Sequence, residues 1–121
     1  VTAHMTTGYN ATTAIETDPR RAEAALLSRL AAQMLRCEDL GTQGFPMLAK
    51  AVHENRKFWH LAAADLAGDG NELPEALRAQ LISIAGFVDR ESARVLSRTK
   101  SPEALIEINR SIARGLFAAG V

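Results

Sequence analysis

Opposite charges cancel in this chain: 14 lysines and arginines against 14 aspartates and glutamates give a formal net charge of +0. Proteins that hold nucleic acid by neutralising phosphates carry a basic excess or a basic stripe. Arginines do gather in the 90s and at Arg110 and Arg114, but acids interleave with them, the pattern of solvated helix faces. Direct nucleic-acid binding is therefore not expected. Cysteine is scarce too. Cys37 stands alone, so no disulfide can form within the chain, and a reducing compartment suits it. No run of about 18 apolar residues occurs, so no helix inserts into a membrane. A charged stretch followed by an apolar one is missing near the start, and the expectation is a cytoplasmic protein.

Residues with chemistry to offer are spaced wrongly for it. His53 and His60 lie seven apart, whereas helical zinc pairs sit three or four apart. Asp65, Asp69 and Glu72 straddle a glycine-containing turn without the spacing of a calcium loop. There is no phosphate-cradling glycine loop and no nucleophile elbow. Cys37 has Arg36 and Glu38 beside it but no convergent histidine. The expectation is a protein that is not an enzyme and uses no cofactor or metal.

What is present is helical periodicity. Val1 to His4 read as a vector remnant ahead of Met5. Residues 5–17 are a threonine-rich arm, or a short helix near 9–16 docked through Tyr9 and Ile15. Asp18-Pro19 then has the chemistry of a helix start, a capping carboxylate before a proline whose missing donor is not needed. Glu23, Leu27, Leu30, Met34 and Cys37 follow at alternating steps of four and three. Gly41 and Gly44 mark a loop. Phe45, Leu48, Val52, Asn55, Trp59, Ala62 and Leu66 form an unbroken seam in the next segment, with one polar member. Gly68-Asp69-Gly70 ends it.

The stretch from Leu73 to Arg98 has the broadest apolar arc. Leu77, Leu81, Ile84, Val88 and Val95 make one stripe, Ile82, Ala85 and Leu96 a second, and Phe87 lies off the flank. So wide an arc predicts neighbours on two or three sides, making this the central helix. Ser101-Pro102-Glu103 starts the last one, whose inner face is read as Leu105, Ile108, Ile112 and Leu116 with Ile106 and Phe117 beside it. The fold class is all-α: one domain over 18–118, a small bundle of four main helices at about 19–37, 45–67, 74–98 and 102–118, with 119–121 frayed.

Three residues have both structural and functional readings. Trp59 is core filler or the anchor of a partner groove. Arg78 lies along the surface or pairs with a carboxylate such as Asp89, or it is a fork for a partner's carboxylate or carbonyls. Asn109 is a cap, a hydrogen bond across the bundle, or part of a binding site.

Several blocks together resemble the FlaF family of flagellar biosynthesis proteins. They are Asn55-Arg56-x-x-Trp59, Asp65, Asn71-x-Leu73-Pro74-x-x-Leu77-Arg78 and Ile82-Ser83-x-x-x-Phe87-Val88. Most distinctive is Leu105-Ile106-Glu107-Ile108-Asn109-Arg110-x-Ile112-x-x-Gly115-Leu116. Tyr9, Pro19-Arg20 and Glu23 fit the same family's opening, so the likeness runs from about Tyr9 to Leu116. One departure is Ala113, where methionine is common and an apolar contact would be thinner. The resemblance implies a cytoplasmic protein that binds flagellin as an export chaperone, promotes its synthesis and secretion, and acts against FlbT, which restrains flagellin translation. Flagellin is the implied partner, through an amphipathic terminal segment, with FlbT or the export apparatus as further ones. Polar residues recurring on or beside apolar seams suggest a groove lined or braced by Asn55, Arg56, Trp59, Arg78, Ile82, Asn109 and Arg110. The alternatives are a post-transcriptional regulator acting on flagellin mRNA and a homo-oligomeric interaction module.

Overall fold

Proline opens the first described helix, where a missing backbone donor costs nothing. The computed structural model describes residues 19–119, with side chains as far as residue 115. The arm or helix expected near 9–16, the Asp18 cap and the side chains of Leu116 and Phe117 lie outside the described residues. Helix α1 is Pro19–Glu38. It buries Leu27, Leu30, Met34 and Cys37 along the expected stripe, together with the carboxylate residue Glu23.

A 3-10 turn, Gly41–Gly44, reverses the chain. Gly41 has φ +65, and a Cβ on Gly44 would stand 2.5 Å from Leu40 Cβ and 2.7 Å from the Cys37 carbonyl oxygen. Glycine at both positions lets the chain fold back tightly against the end of α1. Helix α2, Phe45–Leu66, starts at once, with Pro46 in its first turn. Its seam is the expected one: Leu48, Val52, Asn55, Trp59, Ala62 and Leu66 are buried, and Phe45 is half-buried.

Helix α3 is Glu75–Leu96 and helix α4 is Glu103–Ala119. The first ends on Arg98, a non-glycine residue at φ 66, with the Thr99 amide bonded back to the Arg94 carbonyl at 3.0 Å. Cation–π contact gives that strained residue a partner: the Arg98 guanidinium lies 3.9 Å from the centre of the Phe45 ring. At the start of α4 the Glu103 amide donates to Ser101 Oγ at 3.4 Å, a long version of the expected cap.

The four helices form the expected all-α bundle, and no strand occurs among the described residues. Two expectations change. First, α3 is not the central helix. The spine is α1, packed on α4 along one side and on α2 along another, while α3 rests on α2 and only brushes α4. Along α3, Val88 and Val95 are buried but Leu77 and Ile82 are exposed. Its wide apolar arc narrows into the core only over the C-terminal half. Second, the inner face of α4 is turned. Leu105, Ile106, Asn109 and Ala113 are buried, whereas Ile108 and Ile112 are half-buried. Asn109 has been drawn inward, and its hydrogen bonds explain why.

Candidate functional site

Asn109, on α4, reaches three partners on α1 and α2 at once. Its Nδ2 donates to Asn55 Oδ1 at 2.6 Å and to the Leu27 carbonyl of α1 at 3.2 Å. Its Oδ1 accepts from Trp59 Nε1 at 3.0 Å. Asn55 and Asn109 are 0% exposed and Trp59 is 2% exposed. Inside a protein an unpaired amide costs roughly 1–3 kcal/mol, so this knot fixes how α1, α2 and α4 meet. Asn55 Nδ2 is left without a partner among the described residues, a cost the knot carries. Phe58 meets the Trp59 ring edge-on with centroids 6.0 Å apart. Trp59 takes its core reading.

A second constellation ties down residues 67–74. Asn71 Nδ2 donates to Asp65 Oδ2 at 2.8 Å, and Asn71 Oδ1 accepts the Leu73 amide at 3.0 Å. Arg78 does not pair with Asp89. Its Nε donates to the Leu73 carbonyl at 3.1 Å and its Nη1 to the Leu66 carbonyl at 3.4 Å. The guanidinium is a fork for carbonyls, but for those of its own chain. Asp89 takes Arg56 Nε at 2.7 Å and His60 Nε2 at 2.6 Å, joining α2 to α3 near the surface. The hydrogen bond from Arg56, then that from His60, holds the Asp89 carboxyl down to about 2.

The single groove expected through the seven residues does not form. Asn55, Trp59 and Asn109 meet in the interior, Arg56 bridges α2 and α3, and Arg78 staples a loop. Ile82 stands exposed on α3. Arg110 pairs with Glu107 at 3.7 Å and borders a depression of about 440 Å³ with Ser28, Ala113 and Arg114. Of the residues that carried the resemblance, Asn55, Arg56, Trp59, Asp65, Asn71, Arg78 and Asn109 build and lock the fold.

A wider concavity than the one beside Arg110 lies between α1 and α2. It holds about 930 Å³. Leu26, Leu30, Cys37 and Ala51 form its floor, and Leu40 and Met47 stand at the end beside the 3-10 turn. These two are the most exposed large apolar residues described, at 55% and 60%. Arg29 and Arg36 edge it on α1, and Lys50 and Glu54 on α2. At 1.5 Å per residue the α1 wall from Leu26 to Cys37 is about 16.5 Å long, room for roughly 11 residues of a second helix. Sequence reasoning missed this groove. Its one signal was a pair of large apolar residues, Leu40 and Met47, either side of a glycine-bounded turn with no seam to join.

A family model described as flagellar protein FlaF matches residues 5–116. Comparison with curated proteins finds no match. Comparison with solved structures finds none either.

Proposed function

This chain belongs to the FlaF family of flagellar proteins, and from that premise we propose that it holds a helical segment of flagellin in the groove between α1 and α2 until export. The observation that supports this best is the groove itself, an open apolar trough with Leu40 and Met47 more than half exposed at one end. Covering what is still exposed of each would contribute about 1–2 kcal/mol. An amphipathic helix laid into an apolar groove is a common mode of peptide capture, read out by anchors at helical spacing. Flagellin's terminal segments are such helices and are disordered before assembly, so capture would also cover surface prone to aggregation.

Holding needs no bond making, and the protein acts by binding rather than by catalysis. Its place of action is the cytoplasm, upstream of the export apparatus. No helix among the described residues is long and apolar enough to cross a membrane. A groove that is filled or empty according to flagellin supply also offers a means of reporting that supply to FlbT, and so of promoting flagellin synthesis.

Co-purification tests the reading. Flagellin should be retained by the parent protein and lost with Met47→Lys and Leu40→Lys, each at an exposed position where the fold survives by circular dichroism. Undiminished retention by both variants would move the client off this groove.

A further inference from the structure

The edges of the groove are not alike. On α1, Arg29, Gln33 and Arg36 follow one another at steps of four and three, a single row above the apolar floor. Arg29 and Arg36 are seven residues apart, about 10.5 Å along the axis. Among the described residues no carboxylate lies within ion-pair distance of Arg29, Arg36 or Lys50. Arg36, in the last turn of α1, complements the negative end of its own helix. Arg29, near mid-helix, has no such reason to be a cation. The opposite edge is balanced, since Lys50 is followed one turn later by Glu54, and Asp39 stands at the turn end of the trough.

We propose that the segment this groove receives is an amphipathic helix with an acidic edge, two carboxylates seven residues apart facing Arg29 and Arg36. Its apolar row enters between Leu26, Leu30 and Ala51, and its far end covers Leu40 and Met47. The two arginines set register, because sliding the guest by one turn takes both carboxylates off their cations. Such rim charges act mainly on encounter rate and partner choice and weaken as salt rises. The inference rests on the groove being the client site, and it adds the chemistry of the client's edge.

Two labelled peptides of about 18 residues, with one shared apolar row and either Glu or Lys at the two edge positions, are titrated into the full chain by fluorescence anisotropy. The Glu peptide should bind about tenfold more tightly at low salt, with the preference shrinking as salt is added. Arg29→Ala with Arg36→Ala should abolish the preference, and Arg29→Glu with Arg36→Glu should invert it. Both positions changed are exposed side-chain sites, so folding is not at stake. Equal binding of both peptides, or a preference unchanged by charge reversal, overturns the acidic edge. So does self-association in light scattering that Met47→Lys abolishes, since the groove would then belong to a second copy. Flagellin retained equally by the parent and the charge-reversed protein would sink the acidic edge and leave flagellin as client. A failure of flagellin to bind the parent would instead remove flagellin, with the peptides still deciding the edge.

Discussion

Asn109 uses every hydrogen-bonding group its side chain has, two donors and an acceptor, and each goes to a different partner. Removing it strands Trp59 Nε1 and the Asn55 oxygen in a dry interior. Asn109→Ala is therefore expected to cost about 2–4 kcal/mol in denaturant melts, beyond the ordinary loss for a small polar residue. Trp59→Phe keeps most of the ring and loses one bond, so a loss of about 1–2 kcal/mol is expected, with flagellin affinity unchanged in the folded fraction. The Asp89 cluster carries a pH dependence. Its carboxyl is held below the ordinary value in the folded protein, so the stabilisation is complete above about pH 4 and lost as pH falls towards 2. With the side chain 41% exposed, solvent screens the pair and the effect stays below about 1 kcal/mol. Asp89→Asn should flatten the denaturant midpoint between pH 4 and pH 2 relative to the parent; an identical slope in both would show that other carboxylates dominate.

Element by element, periodicity was a good guide along α2, although that helix packs on both α1 and α3. The α2 seam came through with its polar member, because a seven-residue register with no slip leaves one orientation. On α4 the same logic put Ile108 and Ile112 inward and Asn109 beside them. Hydrophobicity alone cannot see that an amide with three waiting partners outcompetes an isoleucine for the centre of a face. For α3, width of the apolar arc was mistaken for number of neighbours. Leu77 and Ile82 enlarge the arc yet stay exposed, since α3 packs mainly on α2 and meets α4 only slightly. Connections are more exacting than helices. Gly44→Ala forces a methyl against Leu40 Cβ and the Cys37 carbonyl and should lower stability by about 1–3 kcal/mol in thermal melts. Arg78→Ala frees two carbonyls and should cost about 1–2 kcal/mol, with faster amide exchange over residues 67–74 and no change in flagellin binding.

Taken whole, the molecule separates what makes it fold from what it presents. The blocks resembling the family were read as the rim of a groove, because polar residues on apolar seams can mean either a site or an internal knot. Asn55, Trp59 and Asn109 proved to be the knot, and Arg78 a staple. The trough between α1 and α2 was illegible for the complementary reason: its walls are the flanks of two helices, and each flank alone reads as an ordinary solvated face. Only their apposition across the tight Gly41–Gly44 turn turns Leu40 and Met47 into one end of a continuous surface. Methionine methyl NMR reads this contrast directly, for Met34 is fully buried in α1 while Met47 is 60% exposed in the trough. On saturation with flagellin, the Met47 methyl resonance should shift or broaden while that of Met34 holds its position. A saturated complex in which Met47 is unmoved would contradict the groove as the client's seat.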